Sequence, residues 1–465
     1  MALEFLLRIP VLIQLAILVV CLVRREFKFR RSVPKDLPWV GKRSEWFWRI
    51  RSDVRGLFGI GERITKAYHE YSKNGKFFII SDLVTGPEVM VPVSKIPVLL
   101  AQPDEVMDTT NTHCDILQSD YTFSHPRIFR NPLQVDVVRK VLTRQIGSLV
   151  EPVMDEIAMS FDELWGFDTE GWKEILIDRD MNRVIARTLH RMLLGPDLCK
   201  NQEFIDRATT HSRTIIYCAI IIHVIPEFLK PWVQFSRPNR IGMNDFLQWQ
   251  IRESLGQPDP VEHSPEIIAG RVESVNFSAI HTTQGTAMGV MLDLFSSPPE
   301  KGYVEALREE ATRVLEEDGG RWTKTGVAKL IRIDSTIKES MRWKGGSARS
   351  LTRTVIKRDG FTFEDGVHIP YGFKVGTPQY AIHLDEEFYP NPKLWDPFRF
   401  SREREEFEQA SRRRRGPAGD DSHADAAEPL EGPGDGNVGI LRLRNEAVVS
   451  TSEKYIAWGH GRHAW

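Results

Sequence analysis

The fold class predicted is mainly α with small β-sheets, preceded by an N-terminal transmembrane helix, and three patterns predict it. Between Val137 and Trp165 apolar residues recur at Val137/Val138, Val141/Leu142, Ile146, Leu149/Val150, Val153/Met154, Ile157, Phe161 and Leu164/Trp165, the spacing that lines one face of a helix. The clusters Phe77-Phe78-Ile79-Ile80 and Val89-Met90-Val91 flank Thr85-Gly86-Pro87 and predict a β-hairpin. From Leu3 to Val23 the chain is mostly apolar, with Glu4, Arg8 and Gln14 as exceptions. That length matches the roughly 20 residues that cross a bilayer's hydrocarbon.

With 465 residues, 41% hydrophobic and 27% charged, the chain is long enough to bury a large core, and one large body is expected. A formal net charge of −2 supplies no general attraction to a phosphate backbone, so nucleic acid is excluded as a partner. The 4 cysteines, Cys21, Cys114, Cys199 and Cys218, lack Cys-x-x-Cys spacing and read as free thiols rather than a disulfide framework or a zinc site.

In chain order, the apolar run is followed by Arg24, Arg25, Lys28, Arg30 and Arg31, which the positive-inside rule keeps cytosolic. Residues 1–31 are thus expected to be a membrane anchor with its basic flank. A cleaved signal peptide is the competing reading, but it places its basic residues before the apolar run and needs a small-residue cleavage site after it. Pro34 and Pro38 predict a stiff, extended connector. Pro152 is expected to divide the Val137–Trp165 helix in two, and a further helix over Met181–Leu194 is expected to stop at Gly195-Pro196. The length of the apolar run Ile215–Ile225 favours a buried helix over a second membrane span, with His223 packed or at a lipid edge rather than ligating. Ser350–Val355 and Phe361–Gly372 alternate and turn like short strands. From 402 to 450 charge, glycine and proline replace large apolar residues, which predicts a disordered insertion or retained intron sequence.

Four stretches carry chemistry. Val275–Thr286 contains His281-Thr282-Thr283 in a small-residue-rich apolar segment, where helical threonines ordinarily bond back to carbonyls one turn earlier. Glu339 and Arg342 stand at i and i+3 on one helical face, where they can pair, although Glu310 and Arg313 form the same spacing upstream. Asp396-Pro397-Phe398-Arg399-Phe400 follows, and then Tyr455-Ile456-Ala457-Trp458-Gly459-His460-Gly461-Arg462-His463-Ala464-Trp465, an aromatic stem leading into a glycine-rich loop. Gly459 and Gly461 allow backbone conformations closed to other residues, and Arg462 and His463 offer donors suited to carboxylates.

The succession Glu-x-x-Arg, Pro-x-Arg-Phe and aromatic-Gly-x-Gly-x-x-x resembles the cytochrome P450 monooxygenases of the fungal, microsomal type. The resemblance covers most of the chain and implies a cytochrome P450 haem domain over 32–465, lacking its C-terminal end because the match stops at the haem-binding loop. It implies haem b as cofactor, with Gly459, Gly461, Arg462 and His463 in the cofactor loop and Arg353 as a further propionate contact. A surface arginine and a solvated loop histidine are the plainer readings of Arg353 and His463. It implies that Glu339, Arg342 and Arg399 form a haem-supporting charge network. His281-Thr282 falls where the family places an acid and an alcohol that deliver protons during oxygen activation, so Thr282 and His281 are the catalytic candidates. Where the family has its iron-binding cysteine this sequence has Trp465. An indole cannot ligate iron, and His463 stands two places early, so no residue is assigned as metal ligand.

By this resemblance the chain is expected to be a membrane-anchored haem-thiolate monooxygenase. It would oxidise an apolar small molecule of fungal secondary metabolism, a terpenoid, polyketide or alkaloid, with electrons from NADPH-cytochrome P450 reductase. Its expected place is the endoplasmic reticulum membrane, single-pass, with the body on the cytosolic face. The alternative is a truncated, catalytically inactive remnant or a non-catalytic binding protein, because the axial cysteine is missing.

Overall fold

Both apolar clusters around Gly86 form strands in the computed structural model, β1 (Phe78–Asp82) antiparallel to β2 (Gly86–Met90), with Phe78 opposite Met90 and Asp82 opposite Gly86. The structure describes residues 19–20, 23, 34, 36–41, 51–53, 59–82, 86–168, 170–225, 230, 246–415 and 446–464. The further strands are β3 (Met107–Asp108), β4 (Ser350–Val355), β5 (Phe361–Thr362), β6 (His368–Ile369) and β7 (Lys374–Thr377). In chain order the longer helices are α1 (Ile60–Glu70), α2 (Thr109–Leu117), α3 (Thr143–Trp165), α4 (Ile177–Leu194), α5 (Gln202–Val224), α6 (Phe246–Leu255), α7 (Pro265–Phe295), α8 (Tyr303–Glu317), α9 (Ile331–Lys344), α10 (Gln379–His383) and α11 (Arg402–Arg415). The predicted class, mainly helical with small sheets, is what these elements make.

Chain contacts define two units. The first holds Met1–Arg144, Leu189–His281 and Ala348–Ala381. Its five-stranded sheet has the order β1-β2-β7-β4-β3, and β5 pairs with β6 as the predicted second hairpin. Phe77, Ile79, Val89, Val91, Leu99, Met107, Val355 and Val375 pack into one core beside this sheet. Where the prolines predict an extended connector, Asp36, Val40 and Gly41 lie in turns, and among the described residues Trp39 alone bridges β1: Ile79 N–H donates to Pro38 O (2.8 Å) and Val40 N–H to Ile79 O (2.9 Å). At Gly376 a Cβ would collide with Glu88 Oε1, so glycine is what lets a buried carboxylate paired with Arg349 (3.2 Å) cross the sheet there.

The second unit holds Gln145–Thr188, Thr282–Ser347 and Ile382–Trp465. Within it Asn182 and Asp178 on α4 hold the buried Gln284 of α7, Asn182 Nδ2 donating to Gln284 Oε1 (2.7 Å) and Gln284 Nε2 to Asp178 Oδ1 (2.8 Å). Arg404 of α11 and the Val448 amide both donate to Asp334 Oδ2, at 2.6 Å and 3.1 Å.

Several expectations need correction. Pro152 does not divide its helix: α3 runs unbroken from Thr143 to Trp165 with Pro152 inside, preceded by a π-helical turn over Val138–Leu142. A proline removes one N–H bond, and the buried contacts that hold the helix beyond it are polar: Ser160 Oγ donates to Glu156 O (2.6 Å), and Glu156 pairs with Arg187 of α4 (2.6 Å). The apolar run Ile215–Ile225 belongs almost entirely to α5, as predicted, but the helix is not buried all round. Ile215, Cys218, Ala219 and Ile222 are inside, whereas Ile216, Tyr217, Ile220 and Ile221 are exposed. His223 is packed as expected, its Nε2 3.1 Å from Ile116 O, and burial lowers its pKa. The stretch expected to be disordered from 402 begins instead with α11, whose Arg, Glu and Gln residues favour helix. Residues 416–445 lie outside the described residues. So does the expected membrane anchor, apart from Val19, Val20 and Val23; among the described residues no helix is long and apolar enough to cross a membrane.

In the first unit His190 is fully buried against Phe204 (ring centroids 4.8 Å apart), and neither ring nitrogen has a hydrogen-bond partner among the described residues. Burial pulls its pKa down to about 4. The unfolded imidazole takes up a proton near 6.5 and the folded one does not, so stability falls as pH drops from 6.5 towards 4. His190→Leu is expected to remove about 1–3 kcal/mol of this penalty, raising stability more at pH 5 than at pH 8 in denaturant titrations.

Candidate functional site

Helix α9 buries a polar face: Ser335, Thr336, Lys338, Glu339, Ser340 and Arg342 are all inside. Its N-terminus has no side-chain cap of its own, and Glu310 of α8 supplies one by accepting from Arg332 N (2.8 Å) and Ile333 N (3.0 Å). Burial raises the Glu310 carboxyl above its ordinary pKa against the pull of those two amides. The upstream Glu310/Arg313 spacing therefore serves helix capping, and Arg313 pairs with Glu317 (2.8 Å).

One turn from the end of α9, Glu339 saturates its carboxylate. Oε2 accepts from Arg342 Nε (2.8 Å) and Arg399 Nε (3.0 Å), and Oε1 from Arg342 Nη2 (2.8 Å) and the Asp396 amide (3.1 Å). Arg342 spends its other donors on His383 O (2.6 Å) and Pro392 O (2.9 Å), and Arg399 on Pro390 O (2.7 Å) and Leu394 O (3.0 Å). Nearby, Ser335 Oγ donates to Pro397 O (2.7 Å) and accepts from Phe400 N (3.0 Å), and Trp395 Nε1 donates to Ser340 Oγ (3.0 Å). The Glu339, Arg342 and Arg399 predicted to act together are in contact, and they fix the backbone of 390–400 against α9.

The stem of the glycine loop sits beside this network. Tyr455 and Ile456 are buried. Tyr455 stacks on His383 (5.4 Å, 14°), its hydroxyl donates to Lys338 O (3.4 Å), and the Lys338 ammonium lies over the Tyr455 and Phe400 rings at 4.8 and 4.5 Å. The Ile456 amide donates to His383 Nε2 (3.1 Å). Burial lowers the Lys338 ammonium to about 8, although Glu446 lies 3.7 Å away. Burial also pushes the Tyr455 hydroxyl up.

Beyond the stem the chain turns sharply at two glycines, with φ +74° at Gly459 and +76° at Gly461, conformations L side chains rarely adopt. Trp458 Nε1 ties the turn to Val448 O (2.8 Å), and Thr451 Oγ1 lies 2.9 Å from His460 Nδ1. Arg462 and His463 are solvent-exposed in a short 3-10 turn, Gly461–His463. Thr282 lies on the second unit's part of α7, exposed, on a face where a Cβ at Gly285 or Gly289 would meet no atom within 4 Å. Its carbonyl accepts from Thr286 Oγ1 (2.9 Å), the back-bond that helical threonines ordinarily make. His281 precedes it at the end of the first unit, 6.1 Å from the Phe277 ring. Arg353 also belongs to the first unit, where it is buried in β4 and donates to Leu99 O (3.2 Å), so the plain reading of a surface arginine is wrong.

A cytochrome P450 family model matches residues 207–414. Cytochrome P450 monooxygenase gloP of Glarea lozoyensis (strain ATCC 20868 / MF5171) is 29% identical over 92% of this chain and 81% of its own length. Cytochrome P450 monooxygenase htyF of Aspergillus rugulosus is 28% identical over 92% of this chain and 64% of its own. For polB of Polytolypa hystricis (strain UAMH7299), likewise a cytochrome P450 monooxygenase, the figures are 26%, 93% and 84%. These matches support the chain as a cytochrome P450 family member; the family implies monooxygenase activity and haem b as cofactor.

The supporting residues fit that family and the donor set does not. The Glu339 network, the buried stem and the two left-handed glycines are in place. At the ligand position stands Trp465, whose indole offers an N–H donor and no lone pair for iron. The cysteines among the described residues, Cys114, Cys199 and Cys218, belong to the first unit and not to the glycine loop.

Lys338, His383 and the capping Glu310 went unassigned in the sequence. The signal for Lys338 is its place beside Glu339; for His383 it is a histidine flanked by Ala381, Ile382 and Leu384.

Two outcomes follow from this geometry. Glu339→Gln leaves the buried Arg342 uncompensated and is expected to destabilise the fold by about 3–5 kcal/mol in denaturant titrations. Because Lys338 titrates near 8 folded against 10.5 unfolded, unfolding takes up a proton between those values, and stability rises with pH across that window. Lys338→Met is expected to flatten this rise and to add about 1 kcal/mol at pH 7, the relief of a buried charge exceeding the lost ring contact.

Proposed function

We propose that this monooxygenase family member is membrane-anchored and acts on an apolar small molecule of fungal secondary metabolism, a terpenoid, polyketide or alkaloid, with electrons from NADPH-cytochrome P450 reductase. The observation that carries the reading is the union of three separated motifs in one unit, where Glu339, Arg342 and Arg399 brace the segment before the glycine loop. The apolar run Leu3–Val23 with its basic flank supports an anchor in the endoplasmic reticulum membrane and a cytosolic body. The exposed row Ile216, Tyr217, Ile220 and Ile221 on α5 suits contact with lipid or an apolar substrate. Within α7 the Thr282 hydroxyl would hand protons to the reacting centre and His281 would resupply them. Haem would contribute oxidation of unactivated carbon, and Gly459, Gly461, Arg462 and His463 of the second unit are the residues that would hold it.

Trp465 favours a second reading: a non-catalytic relative that keeps the supporting framework and binds its apolar ligand without oxidising it.

The readings separate in one spectrum. Haem-loaded protein, reduced under carbon monoxide, gives a thiolate-type Soret band if the monooxygenase reading holds and haem absorption without that band if the second does. Where wild type lacks the band, Trp465→Cys is expected to create it. Its absence from a haem-loaded Trp465→Cys protein would remove the loop from its assigned role.

A further inference from the structure

His383 lies in neither the predicted network nor the glycine loop, yet it touches both. Its backbone carbonyl takes a donor from Arg342 (2.6 Å), its Nε2 takes the Ile456 amide (3.1 Å), and its ring stacks on Tyr455 (5.4 Å, 14°). It is wholly buried, and burial holds its pKa down near 3, so the ring is neutral across the physiological range. A nitrogen that accepts from an amide uses its lone pair, so the ring's single proton belongs on Nδ1. Nδ1 has no hydrogen-bond partner among the described residues, so no acceptor there selects this tautomer; the Ile456 amide does.

We propose that His383 is the positioning residue of the glycine loop, its Nδ1–H tautomer fixing the Ile456 backbone while its own carbonyl joins that anchor to Arg342. The role goes beyond the monooxygenase reading and holds whether or not haem is bound, since every partner belongs to the chain itself. Space-filling alone would need a flat ring but no particular lone pair. Positioning needs an acceptor three residues before Gly459. Anchoring Ile456 sets where the left-handed turn at Gly459 begins.

The test uses the full chain labelled with ¹⁵N-histidine, the His383 signals being those lost in His383→Gln. Near pH 7 the wild-type ring is expected to show an unprotonated Nε2 and a protonated Nδ1. A protonated Nε2, in either the other tautomer or the imidazolium, would overturn the proposal. Amide exchange at Ile456 gives the second readout. His383→Phe keeps a ring on Tyr455 without an acceptor and is expected to speed exchange about tenfold or more, the weight of one buried hydrogen bond. His383→Gln, which returns an acceptor oxygen, is expected to restore most of the protection. Equal exchange in wild type and His383→Phe, or equal loss in the Phe and Gln variants, would reduce His383 to packing.

Discussion

A fully buried carboxylate between two guanidinium groups organises the second unit. Glu339 and Arg342 are both at 0% exposure, a placement that is unfavourable unless every donor and acceptor is met. Meeting them draws in five backbone carbonyls and one amide from the stretch 383–396, so a chain with little regular secondary structure there acquires one geometry. The pair contributes specificity more than stability. Replacing it with apolar side chains would leave those carbonyls without donors, and the segment before the loop would lose its reason to lie where it does.

The same logic extends into the loop stem. Tyr455 is held by a stack, a hydroxyl bond and a cation over its ring, and the Ile456 amide donates to an imidazole lone pair. Lys338 is the costly member of this set, a buried ammonium 3.7 Å from Glu446. Its position over Phe400 and Tyr455 links the Pro-x-Arg-Phe segment to the stem through one side chain. The loop stem is thus buried and partnered, while two positions depart from the pattern the resemblance implies, His281 at the acid's place and Trp465 at the cysteine's.

Motif order was the legible part of the site. Glu339, Arg342 and Arg399 were identified because charged residues at helical spacing followed by Pro-x-Arg-Phe form a pattern independent of burial. Lys338 and His383 were illegible for the opposite reason. Hydrophobic periodicity finds the buried face of a helix only when that face is apolar, and α9 buries serine, threonine, lysine, glutamate and arginine. The hairpin around Gly86 was legible because two apolar clusters containing Ile79, Ile80 and Val89 flank a Gly-Pro pair. Pro152 misled because propensity describes a residue alone, whereas α3 continues past it and is tied to α4 by the buried Glu156–Arg187 pair.

Asp334 receives Arg404 from the helix before residues 416–445 and the Val448 amide from the chain after them. One carboxylate of α9 thus serves as a common anchor for α11 and for the stretch that leads into the loop stem, so a change at Asp334 would loosen both at once.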